Sequence, residues 1–225
     1  MSVKILASVR DGAEAGLALA AGAHVIDLKE PSSGALGAVP IDMVRAVVKQ
    51  IDGHALVSAT IGDHALVPDI ILEACTAWSA TGVDFIKIGI FPGDLPGTLK
   101  VLAPLIAAGI KIIAVVFADG QIMWQQVLTP VAEAGFAGIM LDTGDKTNGG
   151  LLTHLPVSVC GAFVKAARDH NLICGLAGSL TLKDIPILAP LGPDYLGFRG
   201  ALCDGGRSGT LSEARVRSVI STLVS

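Results

Sequence analysis

Apolar and polar positions along the chain repeat one unit: a short run rich in β-branched residues, a turn of Gly, Asp, Ser or Pro, then an Ala/Leu-rich amphipathic stretch. The runs VKILASV (3–9), VIDLKE (25–30), LVSATIG (56–62), FIKIGI (85–90), KIIAVVF (111–117), GIMLDTG (138–144), ICGLAGS (173–179) and YLGFRGA (195–201) predict eight strands. The amphipathic stretches predict helices over 11–21, 41–51, 68–81, 96–108, 121–134, 157–170, 181–190 and 211–223. Ser212 marks the start of the last helix, and AAG (20–22), TG (81–82), AAG (107–109) and EAG (133–135) read as stops.

Strict strand–helix alternation argues for a parallel sheet. Eight units of about 28 residues close naturally into a barrel. An open doubly wound sheet would carry a Gly-rich turn after its first strand, and the turn here, SVRDGAEA, has no GxGxxG. The expected fold is one α/β domain over residues 1–225, a (β/α)₈ TIM barrel, with no linker or low-complexity segment to mark a second unit.

Composition supports this and narrows the function. Hydrophobic residues make up 52% and charged residues 16%, so many segments must be buried on both faces, as barrel strands are. Aromatics are only 4%, which leaves Ala, Val, Ile and Leu to fill the interior. A net charge of −4 without a basic run argues against nucleic acid as a partner. Cys75, Cys160, Cys174 and Cys203 are scattered without CxxC spacing, and no HxH or HExxH occurs, so no metal is indicated. The start, MSVKILASVRDG, does not read as a signal peptide, and no apolar run approaches the roughly 20 residues of a membrane span. A cytoplasmic protein that forms a homo-oligomer is expected.

Barrel active sites lie at the carboxyl ends of the strands. That rule selects Asp27 and Lys29 in IDLKE, Ser58 and Thr60 in strand 3, Lys87 in FIKIG, and Asp142 with Lys146 in LDTGDK. Alternation puts Asp27 and Lys29 on one face and Ile26 and Leu28 on the other. Inward charges are costly unless paired, and three lysines with two carboxylates at one end can satisfy each other. A salt-bridge network that merely locks strands together does not require five ionisable groups. A lysine desolvated beside a second ammonium can lose its proton and attack a carbonyl as a Schiff-base nucleophile. Spacing alone does not say which lysine that is.

Strands 7 and 8 end in GLAGS and GFRGA, where Gly178, Ser179, Arg199 and Gly200 fit a phosphate site. Arg207 in the following loop, ALCDGGRSGTLS, is placed to hold a second anion. His64 and His154 fall on the same side and are candidates for substrate contact, whereas His24, His54 and His170 are expected at the surface.

IDLKEPSSGALGA (26–38), VSATIGD (57–63), FIKIG (85–89), MLDTGDKTNGGLL (140–152), LAGSL (176–180) with DIPIL (184–188), and GFRGALC (197–203) together resemble the (5-formylfuran-3-yl)methyl phosphate synthase family from end to end. The resemblance implies condensation of two glyceraldehyde 3-phosphate molecules, with loss of phosphate and water, to a phosphorylated furan aldehyde for methanofuran-type cofactors. It implies that no metal or organic cofactor is required, that Lys29 is the Schiff-base lysine, Lys87 the proton-accepting lysine, and Asp27, Asp142 and Lys146 further polar groups of the active site. The first strand departs from the family pattern, with Arg10 in SVRDG where a Ser-Pro-Lys-like turn is usual. The same residues would also serve a Schiff-base aldolase acting on another phosphorylated sugar, or a non-catalytic barrel that binds a phosphorylated metabolite.

Overall fold

The computed structural model describes residues 3–224. Eight strands, β1 (Lys4–Val9), β2 (Val25–Leu28), β3 (Leu56–Thr60), β4 (Phe85–Gly89), β5 (Ile112–Phe117), β6 (Gly138–Asp142), β7 (Ile173–Leu176) and β8 (Tyr195–Phe198), close into a parallel barrel in sequence order. The outer layer is formed by α1 (Gly12–Ala20), α2 (Ile41–Ile51), α3 (Pro68–Ser79), α4 (Leu95–Ala107), α5 (Trp124–Glu133), α6 (Leu151–His154), α7 (Val157–Asp169), α8 (Ile185–Leu188) and α9 (Glu213–Val224). A hairpin of β9 (Cys203–Asp204) and β10 (Thr210–Leu211) sits between β8 and α9.

The strand pleat divides the core in two. Residues facing outward, among them Ile5, Ile26, Leu28, Ile86 and Ile88, pack against the helices in a large apolar layer. Those facing inward, including Leu6, Val25, Ile113, Val115, Met140 and Tyr195, fill the barrel. Gly175 is part of that fit, because a Cβ there would overlap the Tyr195 ring.

Helix boundaries follow local chemistry. Asp11 caps α1 by accepting from the Glu14 N–H, and Asp94 caps α4 through Gly97. Of the anticipated stops, Gly22 and Gly109 take φ of +95° and +92°, the left-handed geometry that glycine reaches without strain. The expected helix over 181–190 is instead a 3₁₀ turn at Leu182–Asp184, the single α turn α8 and a second 3₁₀ turn at Ala189–Leu191. Pro186 and Pro190 remove the N–H groups that a continuous helix would need. The last helix begins at Glu213 rather than 211 because Thr210 and Leu211 pair with Asp204 and Cys203. Strands 2, 6, 7 and 8 end two or three residues earlier than anticipated, so Lys29, Ser179 and Arg199 lie on the connecting loops.

Candidate active site

Register places the first polar layer. Asp27 lies level with Ser8 of β1 and with Ser58 of β3. Their hydroxyls donate to its two oxygens, Ser8 to Oδ2 at 3.0 Å and Ser58 to Oδ1 at 2.6 Å. Lys87 reaches over from β4 and donates to Asp27 Oδ1 at 2.9 Å. All four side chains are buried. Burial by itself would raise the Asp27 carboxyl, but the Lys87 and Lys29 ammonium groups with the Ser58 hydroxyl bring it below the usual carboxylate value.

A second layer sits nearer the barrel mouth. Asp142, the last residue of β6, accepts from Lys146 Nζ at 2.5 Å and from the Thr143 N–H at 2.7 Å. Its other oxygen faces Lys29 Nζ at 3.7 Å, so an ion pair spans the interior from the end of β2 to the end of β6. Lys146 also donates to the Thr143 carbonyl. Burial would raise Asp142, yet the two ammonium groups and these hydrogen bonds hold it at about 2. Lys29 goes the other way for a lysine. Desolvation is the largest cause, and with help from the Lys146 and Lys87 charges it outweighs Asp142 and Asp27 and lowers the amine to about 8.

The charge count explains why Lys29 is the group that yields. Three lysines face two carboxylates, and Lys87–Asp27 and Lys146–Asp142 are the close pairs. Lys29 is the excess cation, held only at the longer distance, so its deprotonation leaves two neutralised pairs behind. An amine lowered to about 8 has a far larger share of free base near neutral pH than an ordinary lysine.

These groups line a cavity of about 450 Å³ at the barrel mouth, bounded by Asp27, Lys29, Lys87, Asp142 and Lys146 on one side. On the other side are Gly178, Ser179 and Gly200 from the loops after β7 and β8. Ser179 takes φ +49° beside Gly178 at φ +107°. The backbone N–H groups of Gly178, Ser179 and Leu180 take part in no hydrogen bond of the described residues. Unpartnered N–H groups on a cavity wall suit an anion.

Three of the expected site residues, Ser58, Thr60 and Arg199, are engaged within the protein. Thr60 is fully buried and donates to the carbonyls of Leu28 and Gly37, so it fixes the loop after β2 and borders no part of the cavity. Ser58 lies behind Asp27 and orients it. Arg199 borders the cavity, but all five of its N–H donors have partners within the protein. Nη1 and Nη2 fork onto Glu14 at 2.5 and 3.1 Å and also reach the carbonyls of Ser8 and Gly209, while Nε donates to the Arg207 carbonyl. Its guanidinium has no donor left for phosphate.

The ring nitrogen of His64 meets the Ile61 carbonyl at 3.0 Å, and neither His64 nor His154 lines the cavity. Arg10 pairs with Glu14 at 3.1 Å. Sequence reasoning missed Ser8 and Glu14. Ser8 was accessible from alternation, since it shares the inward face of β1 with Leu6; Glu14, a helix residue, gave no signal.

The 4-HFC-P synthase family profile matches residues 5–220. A relative from Methylorubrum extorquens is 42% identical over 98% of this chain and 91% of its own length. The (5-formylfuran-3-yl)methyl phosphate synthase of Methanocaldococcus jannaschii is 33% identical over 90% of this chain and 91% of its own. That of Methanosarcina mazei is 30% identical over 97% and 98%. Among solved structures, phosphoribosyl anthranilate isomerase from Thermotoga maritima superposes with a TM-score of 0.71 at 13% identity, covering 99% of this chain and 98% of that one. The 3-hexulose-6-phosphate synthase from Salmonella typhimurium gives 0.71 at 14%, with 99% of each chain covered. At such identities the structural likeness concerns the barrel alone.

Proposed function

The chain belongs to the 4-HFC-P synthase family, and on that premise we propose that it condenses two molecules of glyceraldehyde 3-phosphate into (5-formylfuran-3-yl)methyl phosphate through a Schiff base at Lys29. It is an enzyme, a synthase of that furan phosphate by its family. The observation that carries the mechanism is Lys29 itself: a buried amine lowered to about 8, opening on a cavity beside two lysine–aspartate pairs.

In this reading the Lys29 amine adds to the aldehyde carbon of the first substrate. Lys87, paired with Asp27, protonates the carbinolamine hydroxyl, which leaves as water and gives the iminium. The Lys87 amine so formed takes the proton from the adjacent, now acidified carbon. The resulting enamine expels the phosphate on its third carbon, which leaves a methylglyoxal imine, and Lys87 takes a proton from its methyl group to give a second enamine. That carbon adds to the carbonyl of the second triose phosphate in its ketose form, whose oxygen recovers the proton from Lys87. The primary hydroxyl of the second unit closes the ring on the oxo carbon of the first, two waters leave as the ring becomes aromatic, and one water hydrolyses the imine and frees Lys29, so that two triose phosphates give the furan, one phosphate and, net, two waters. Asp142 steadies the iminium charge, and Lys146 holds Asp142 in place. The product's place is the biosynthesis of methanofuran-type cofactors.

Incubation with glyceraldehyde 3-phosphate is expected to release inorganic phosphate and build furan absorbance together. Borohydride is expected to trap substrate on Lys29 and nowhere else, with no label in Lys29→Arg. An aldol product without phosphate release would mean a Schiff-base aldolase; no substrate-dependent label in the wild type would remove the covalent mechanism.

A further inference from the structure

The hairpin after β8 is tied to the barrel far more firmly than a surface loop requires. Arg199 donates to the carbonyls of Arg207 and Gly209, the Leu211 N–H reaches Glu14 Oε1 at 3.4 Å, and Arg10 Nη1 reaches the Ser208 carbonyl at 3.5 Å. Gly205 and Gly206 both take φ +80°, a backbone that holds the turn and that side chains would strain. What this frame carries over the mouth is Arg207.

Its side chain crosses to the opposite rim, where Nη2 donates to the Gly34 carbonyl at 2.6 Å. The loop bearing Gly34 is fixed in turn by Asp63, which accepts from the N–H groups of Ala35 and Leu36 at 2.8 and 2.7 Å. Arg207 is half-buried and lines the same cavity as Lys29 and Lys146. Of the arginines on that cavity, Arg199 is paired with Glu14 and Arg215 with Asp204, but Arg207 has no carboxylate partner among the described residues. A half-buried guanidinium with one internal acceptor and no carboxylate has its remaining donors free at the cavity it lines, where an anion can take them in charge-assisted hydrogen bonds.

The cavity then has two anion positions, on different loops of the same wall of residues. One is the Gly178–Leu180 backbone, adjoining the end of β6; the other is Arg207, between the hairpin and the loop after β2. We propose that Arg207 is the binding residue for a second phosphate monoester, so that the enzyme holds two phosphorylated aldehydes at once in the cavity that Lys29 lines. This rests on the condensation reading, since an enzyme working on one phosphorylated substrate needs only one such position. Arg199 and Glu14 act as positioning residues that keep the Arg207 backbone in place.

Equilibrium dialysis with radiolabelled inorganic phosphate at low ionic strength tests the site without turnover. The wild type is expected to bind two phosphates per chain and Arg207→Ala one, with an unchanged thermal midpoint; Arg207→Lys should keep two, one of them weaker. In kinetics, Arg207→Ala is expected to raise KM for glyceraldehyde 3-phosphate about tenfold or more while kcat stays within about threefold, the loss of one charge-assisted contact. Two phosphates still bound by Arg207→Ala, or one by the wild type, would overturn the assignment. If no furan forms yet Arg207→Ala drops one phosphate, the condensation reading falls and the Arg207 site stands. If furan forms at wild-type KM in that variant, the site falls and the condensation stands.

Discussion

The lowered Lys29 amine rests on a specific arrangement, and Lys146→Met is the substitution that tests it. Lys29 and Lys146 meet the two oxygens of one carboxylate at 3.7 and 2.5 Å, so their ammonium nitrogens are no more than about 8 Å apart, taking roughly 2.2 Å between those oxygens. At that distance two like charges in a medium of effective dielectric about 20 repel by about 2 kcal/mol, or about 1.5 pKa units. Methionine removes the charge and keeps most of the volume. Asp142, held at about 2, remains ionised without Lys146 and becomes a more available partner for Lys29, which shifts the amine in the same direction. The midpoint of Lys29 is therefore expected to move from about 8 to about 9.5 or above. Brief exposure to glyceraldehyde followed by borohydride and peptide mapping reads the free amine directly as a function of pH. Labelling of Lys146→Met should fall roughly 30-fold at pH 7 and come within about twofold of wild type at pH 10. A labelling midpoint that stays near 8, or falls, would show that Lys29 is set by desolvation alone and that Lys146 serves only to hold Asp142.

Two further substitutions test the frame around this chemistry. Arg199→Lys keeps a charge opposite Glu14 but loses the fork and the backbone donors, so it is expected to cost about 3 kcal/mol and lower the thermal midpoint by roughly 5–10 °C; a midpoint unchanged by scanning calorimetry would contradict the five-bond assignment. Gly175→Ala drives a methyl into the Tyr195 ring and is expected to destabilise by about 2 kcal/mol. Tyr195→Leu combined with it should recover much of that loss in a double-mutant cycle, and strictly additive effects would place the strain elsewhere.

The barrel was legible because burial on both faces leaves a direct mark on a strand: β1 to β8 read as β-branched runs, and the glycines ending α1 and α4 are where a left-handed residue is needed. What failed to read were elements whose form depends on tertiary partners. The hairpin 203–211 is two short pairs held by Arg199 and Glu14, too brief for any period to register. The break in the 181–190 segment was present in Pro186 and Pro190, but apolar periodicity outweighed them in the reading.

The site divides along the same physical line. Asp27, Lys29, Lys87 and Asp142 stood out because a charge within an apolar strand is expensive, so its sequence neighbours alone announce that something must pair with it. Arg199 gave the same signal and was misread, because the signal says that a partner exists and not which one. Glu14, which takes up that arginine, lies 185 residues earlier on a helix whose other residues look ordinary. Arg207 is the converse case. It sits in a glycine-rich loop where an arginine costs nothing to place, and only the closed barrel brings it to the cavity that the lysines line and leaves it without a carboxylate partner among the described residues. Charge within a strand thus locates the polar cluster at the barrel mouth, while which arginines are paired inside the protein depends on contacts across the whole length of the chain.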